Sequence, residues 1–284
     1  MAIRKLDKSA ADLAKRVLMK SDPTRIDPLK LKLGKSPARH DPRTLLFATY
    51  ATPALPAPPP QLDLATAVKS AWGMMDNDQI GDCTCAAAGH MIMDWTASAQ
   101  SKMFTPTDQQ IVAAYSAITG YNPVTGANDN GAQEIDVLNY WRQQGIAGHK
   151  IQAFMALEPS NHTHVMDGVW IFGGSYIGLQ LPKTAQAQTS NHQVWSVPPG
   201  GPHGDGAPGS WGGHAVPVVA YDARSLTVVT WGALQTMTWS FWAAYCDEAY
   251  AIISADYLEQ KNGQTVAPNG FNLQQLQQDL ADLK

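Results

Sequence analysis

The chain has 284 residues, 44% of them apolar and 15% charged, and a formal net charge of −4. That length buries a sizeable core in one large domain or two small ones, and with no basic stripe interleaved with aromatics the composition excludes nucleic acid as an expected partner. No stretch approaches the ~18 consecutive apolar residues of a membrane span. The first twenty residues carry charges throughout and lack the apolar core of an export signal, so the expected setting is the cytoplasm or a particle, away from any membrane. Of the three cysteines, Cys83 and Cys85 are too close to bridge each other, and Cys246 stands alone. This is no disulfide framework.

In chain order, residues 1–60 differ from the rest. Ala10–Met19 has the pattern of a short basic amphipathic helix, and then Asp22-Pro23, Asp27-Pro28, Ser36-Pro37, Asp41-Pro42 and the run Pro53–Pro60 interrupt regular structure. Ala51–Pro60 is expected to be extended and polyproline-like. Asn77–Trp95, NDQIGDCTCAAAGHMIMDW, runs from a polar turn into an apolar helix, with Asp82 as its N-cap and Cys83 in its first turn. A thiol there meets the positive end of the helix dipole, which favours the thiolate. Thr107–Thr119 opens on a capping box, Thr107 with Gln110, and is a second helix; Ile135–Gln144 is a third, ended by Gly145. Val169–Leu181 gives the first strong strand signal, and Pro198–Gly213 is a long Gly/Pro loop. His214–Tyr221, Leu226–Gly232 and Ala249–Ser254 read as antiparallel strands, with Asp222–Ser225 as a turn. Leu273, Leu276, Leu280 and Leu283 form the stripe of a last helix. Helices first and antiparallel strands last is an α+β order.

Several segments in that order resemble the papain-like cysteine peptidases, in particular bacterial members without the usual disulfides, over residues 40–260. Gln61–Leu64 after the proline-rich lead-in is similar to their entry strand. Asp76–Ala87, DNDQIGDCTCAA, resembles their nucleophile segment DQGQLGSCTANA. Phe104-Thr105-Pro106 is similar to the LSP before their next helix. Asn130-Gly131, ahead of Gly145-Ile146, is similar to the wall of their substrate cleft. Gly212–Tyr221, GGHAVPVVAY, resembles their histidine strand GGHAVLAVGY, and Trp231-Gly232 stands where they have NSWG.

The resemblance implies a papain-like two-lobed fold, a helical half and an antiparallel β half with the cleft between them. Residues 61–260 would form it, behind a Pro-rich arm at 1–60 and ahead of a tail at 261–284 with a short amphipathic helix. It implies hydrolysis of peptide or isopeptide bonds in a peptide or protein substrate, with no metal and no cofactor. Cys83 is the expected nucleophile, because Gly81 stands two before it as the family requires; Asn77, six before it, then takes the oxyanion position. Cys85 is the alternative, with Gln79 six before it but no glycine two before. Two residues on a helix differ by about 200°, so only one thiol faces the cleft. His214 is the expected base, and Asn130, Gly131, Gly213 and Trp231 the expected substrate walls. Two positions depart from the pattern. Val229 stands where the family has the asparagine that orients the histidine, so the partner of His214 must be a backbone carbonyl, a water, Thr230 or a side chain from elsewhere; by strand alternation Thr230 faces the wrong side. Asp82 places an anion beside the thiol, which opposes its ionisation. These departures keep open a second reading, an inactive peptidase fold that binds peptides or builds an assembly such as a phage particle. If the arm crosses the cleft it is a built-in inhibitor; residues 40–60 are expected on the domain surface as extended chain. His90, and His162-x-His164 without a third ligand, are expected to be structural.

Overall fold

The computed structural model describes residues 31–100, 102–258, 260–261, 264–265 and 270–282. The helix expected at Ala10–Met19 lies outside them. In chain order the elements are α1 (Phe47–Tyr50), β1 (Leu62–Asp63), α2 (Cys83–Ala99), α3 (Asp108–Thr119), α4 (Glu134–Gln143), β2 (Ile151–Ala156), α5 (His162–Phe172), β3 (Ser175–Leu181), α6 (Thr184–Ser190), β4 (Gly212–Tyr221), β5 (Ser225–Thr230), β6 (Ala233–Thr238), α7 (Trp239–Tyr245), β7 (Cys246–Ser254), the two-residue strands β8 (Gln260–Lys261) and β9 (Gln264–Thr265), and α8 (Leu273–Asp282). The main sheet is antiparallel throughout, in the order β2-β7-β3-β4-β5-β6, and β1 adds to β4.

Strand alternation divides the core in two. Ala215 and Val219 of β4 pack with Ile111, Leu138, Trp141 and the buried face of α2. Val216 and Val218 turn the other way, to Phe172, Phe241 and Trp242. Helix α2 is buried from Cys83 to Thr96, which suits a helix that is apolar all round and runs through the middle of a domain. Its Gly89 has no room for a methyl group: a Cβ would come within 2.5 Å of Met75 Sδ. Helix α3 carries the expected capping box, with Gln110 N–H donating to Thr107 Oγ1 and Thr107 N–H to Gln110 Oε1 at 2.9 Å.

The run Val169–Leu181 is not one strand. Val169–Phe172 ends α5, and Gly173 and Gly174, with φ of 74° and 146°, turn the chain into β3. The His162–His164 segment is the first turn of the same helix, where Asn161 Oδ1 accepts from Thr163 N–H at 3.0 Å. Strand β5 stops at Thr230, short of Gly232. Trp231 and Gly232 have φ of 44° and 70° and make a tight hairpin turn into β6, a strand the sequence reading lacked. Residues 41–60 pack on the body, but not as uniformly extended chain. Phe47 and Tyr50 on the turn of α1 are buried, and Leu55 N–H bonds back to Thr52 O at 2.9 Å. The tail closes over them: Tyr50 Oη donates to Asp279 Oδ2 of α8 at 2.7 Å, and Leu276 is fully buried.

Candidate active site

The polar turn before α2 brings Cys83 to the junction of the two halves. Asp82 O accepts the first helical bonds, from Cys85 N at 2.7 Å and Ala86 N at 3.0 Å. Its side chain makes no cap, contrary to the N-cap role expected of it. The carboxyl is instead buried, with neither oxygen hydrogen-bonded among the described residues, and burial pushes its pKa well above the usual range against the pull of the Asn77 amide. Cys83 itself is 1% exposed. Its sulfur faces the backbone N–H groups of Ala215 and Gly34, which favour the thiolate, but burial outweighs them and pushes the thiol up to about 12. The helix-terminus effect expected from sequence is overridden by the loss of water.

His214 enters from β4, one residue before Ala215, and is 1% exposed. Its ring stacks on Trp231, with centroids 4.4 Å apart and planes at 16°. Its Nε2 lies 2.7 Å from Thr230 Oγ1, so Thr230 supplies the partner that Val229 cannot. Val229 points into the core with α2. Alternation in fact holds: Val229 and Ala215 share the α2 side, so their neighbours Thr230 and His214 share the other, and the expectation failed in assuming that position 229 faces the histidine. Nδ1 has no hydrogen-bond partner among the described residues. Burial, with the nearby His90, lowers the imidazole pKa to about 3.

What removes water is the chain's own N-terminal segment. Leu31–Ser36 runs through the junction, pairing on one side with the α4 approach and on the other with β4. Ser36 N–H donates to Ala132 O at 2.9 Å and Ala132 N–H to Gly34 O at 2.8 Å, while Lys35 N–H donates to Gly213 O at 3.1 Å. Trp231 Nε1 donates to Lys32 O at 3.2 Å. The contact surfaces are glycines because nothing larger fits. A Cβ on Gly34 would lie 1.8 Å from Gly81 O, one on Gly131 2.1 Å from Gly34 O, and one on Gly213 2.2 Å from Lys35 O. The side chain of Lys35 descends into a pocket and is 0% exposed, with Nζ 2.9 Å from Asp247 Oδ2 and 2.7 Å from Glu248 Oε1. Burial opposes its charge, but Glu134, Glu248 and Asp247 outweigh it and raise its pKa. Arg39 pairs with Asp136 outside the pocket.

Cys83, Gly81, Gly131, Gly213, His214 and Trp231 are thus brought together around this segment. The other expected residues are not. Gln79 is exposed and bonds to Asp78 Oδ2 at 2.8 Å. Asn130 is exposed on the approach to Gly131. Asn77 is buried, its Nδ2 3.3 Å from Ile80 O. Cys85 lies on the helix's other side in the core, where burial raises its thiol well above the ordinary value. His90 bonds to Gly73 O at 3.0 Å, and its burial lowers its pKa to about 4. His162 stacks on Trp239, and His164 Nδ1 accepts from Glu158 N–H at 3.2 Å; no group of three potential metal ligands occurs among the described residues. No described helix is long and apolar enough to cross a membrane. Sequence reasoning listed Thr230 among the possible partners of the histidine but argued against it, and it missed the pocket residues Glu134, Asp247 and Glu248.

No protein-family model matches the chain, and no curated protein does. Solved structures do. Xylellain, a cysteine protease from Xylella fastidiosa, is 18% identical with a TM-score of 0.59, over 80% of this chain and 97% of that one. Digestive procathepsin L 3 of Tenebrio molitor larval midgut is 11% identical with a TM-score of 0.54, over 80% and 77%. Procathepsin B from Trypanosoma congolense is 11% identical with a TM-score of 0.51, over 82% and 89%. At these identities the likeness is one of fold, and the α+β chain described above has the papain-like fold.

Proposed function

We propose that the chain is a papain-like cysteine peptidase held latent by its own residues 31–36. The reading rests on one observation above all: a buried histidine with one ring nitrogen bonded to Thr230 and the other unpartnered, one residue from the backbone N–H that faces the Cys83 sulfur. With Nε2–H donating to Thr230 Oγ1, Nδ1 is left as the base. Cys83 passes its proton to Nδ1, the thiolate attacks the carbonyl carbon, and His214 returns the proton to the leaving amine. Water then hydrolyses the thioester, with His214 again as base. As a first-turn residue, Cys83 has a backbone N–H with no intrahelical acceptor, which suits it to the oxyanion. Asn77, whose amide is directed at Ile80 O, and Gln79, which faces solvent, are both dropped as side-chain donors to the oxyanion.

A second reading keeps the cleft for binding alone, as an inactive relative or an assembly component. It is favoured by the burial of both groups, which raises the thiol and lowers the imidazole and so works against a thiolate–imidazolium pair while the arm is seated. The two readings separate on alkylation of Cys83 by iodoacetamide or an epoxysuccinyl reagent, followed by mass spectrometry. Lys35→Glu adds a fourth carboxylate to the pocket and expels the arm. Labelling is expected to rise by about tenfold or more, with peptide hydrolysis that Cys83→Ser abolishes. Labelling that rises without hydrolysis leaves the binding reading; labelling that does not rise rejects latency.

A further inference from the structure

The pocket that holds Lys35 is larger in acceptors than a lysine can use, and we infer that it is the site for an arginine side chain of the bound peptide, one residue from the residue at the Cys83 sulfur. This rests on the reading of the cleft as a peptide-binding site and names its substrate class.

Lysine offers three donors. Nζ donates to Asp247 Oδ2 at 2.9 Å and to Ser36 O at 3.3 Å, and it meets Glu248 Oε1 as an ion pair at 2.7 Å without hydrogen-bond geometry. Asp247 Oδ1 and both oxygens of Glu134 are then left without a hydrogen bond among the described residues, and Glu134 is 0% exposed. A guanidinium brings five donors in a planar fork, which suits a pocket with several carboxylate acceptors. The carboxylates are also oriented for a ligand: Gln180 Nε2 donates to Asp247 Oδ2 at 2.6 Å, and Tyr250 Oη to Glu248 Oε2 at 2.9 Å. Gly178 clears the passage for an aliphatic stem, since a Cβ there would lie 2.0 Å from Lys35 Cε. Asp247 is 24% exposed, so the pocket opens to solvent at that side. The arm's lysine is therefore a fitting but incomplete occupant, one that an arginine peptide displaces.

The test uses the full chain carrying Lys35→Leu, which vacates the pocket, together with Cys83→Ala, which prevents turnover. Dye-labelled Gly-Gly-X-Gly-Gly amides with X as Arg, Lys, Leu or Glu are titrated by fluorescence anisotropy; the glycines allow X to reach the pocket in either chain direction. The Arg peptide is expected to bind at least tenfold more tightly than Leu and more tightly than Lys, and Glu248→Gln or Glu134→Gln should narrow that gap. Leu binding as well as Arg, or a preference that survives both substitutions, overturns the inference. If the vacated variant does not fold, Lys35→Arg in the otherwise natural chain reads the same pocket: slower iodoacetamide labelling of Cys83 than with lysine is expected, and faster labelling overturns it. Cleavage of the same peptides by the Lys35→Leu chain with Cys83 intact is scored separately. Arginine-selective binding without cleavage removes the peptidase reading alone, and cleavage without selectivity removes this inference alone.

Discussion

Thr230 and Val229 are adjacent residues with opposite duties. The Thr230 hydroxyl holds His214 Nε2, and Val229 fills the core beside α2. Thr230→Val should leave a buried ring N–H without a partner and lower kcat by about 10–10³-fold, less than the ~10⁴-fold that mis-orienting a serine-triad histidine costs. Thr230→Ser should restore most of it, and kcat for the two variants in the arm-released chain is the check. An asparagine at 229 would bring no benefit. Val229→Asn buries an amide without partners and should cost about 1–3 kcal/mol in urea unfolding. The two reactive groups also set a pH window for the arm. Taking the open site at the ordinary values of 9.0 for the thiol and 6.5 for the imidazole, closure raises the first and lowers the second. The thiol's contribution is full below pH 9.0 and is lost as pH rises towards 12; the imidazole's is full above pH 6.5 and is lost as pH falls towards 3. Protonation of Glu248, whose pKa burial raises despite Lys35, weakens the arm on the same acid side. Hydrogen-exchange protection of residues 31–36 should therefore be greatest between those ordinary values and fall on both sides; protection independent of pH would contradict the burial argument.

At the scale of elements, the arm is seated by shape as much as by charge. Gly34→Ala would drive a methyl group to 1.8 Å from Gly81 O, so the segment cannot stay in place. Cys83 alkylation should accelerate about tenfold with the body's melting temperature nearly unchanged, because the clash is relieved by release rather than unfolding. An unaltered rate would mean that the segment seats without touching Gly81. An arm across the cleft was raised as a condition in the sequence reading, but the residues that seat there and their partners were not legible. Leu31–Ser36 has no periodicity, and its partners Gly81, Ala132 and Gly213 are brought to it only by the fold. Helices α2 and α3 and strand β4 were legible because their signals are local: an alanine-rich apolar run, a capping box, an alternating strand after two glycines. Val169–Phe172 was misread because a short apolar run fits a strand and a buried helix end equally well, and only the Gly173-Gly174 corner separates them. The Cys83 and His214 segments were found from motif resemblance, whereas Glu134, Asp247 and Glu248 each look like ordinary surface charges until Lys35 lies among them.

At the scale of the whole molecule, the last described residues are fastened to the Phe47–Thr52 segment. Asn272 N–H donates to Tyr50 O and Thr52 N–H to Gly270 O, both at 2.9 Å, and Phe271 stacks on Phe47 at 6.0 Å. Leu276 on the inner face of α8 is fully buried, so Leu276→Ala should cost about 2–4 kcal/mol in urea unfolding. A much smaller loss would mean that α8 contributes little to the folded body. This clasp anchors the chain from Phe47 onward, and residues 37–46 then connect an anchored body to the Lys35 plug. A plug on so short a tether is never diluted: it faces the cleft at an effective concentration on the order of millimolar, whatever the concentration of the protein. Hydrolysis of a single bond within 37–46 would change the order of that reaction. Rebinding would become bimolecular, and the freed segment would escape by dilution. In the proposed latent peptidase such a nick is a one-way event, so the tether length, more than the strength of any contact in the pocket, sets whether its latency is reversible or single-use.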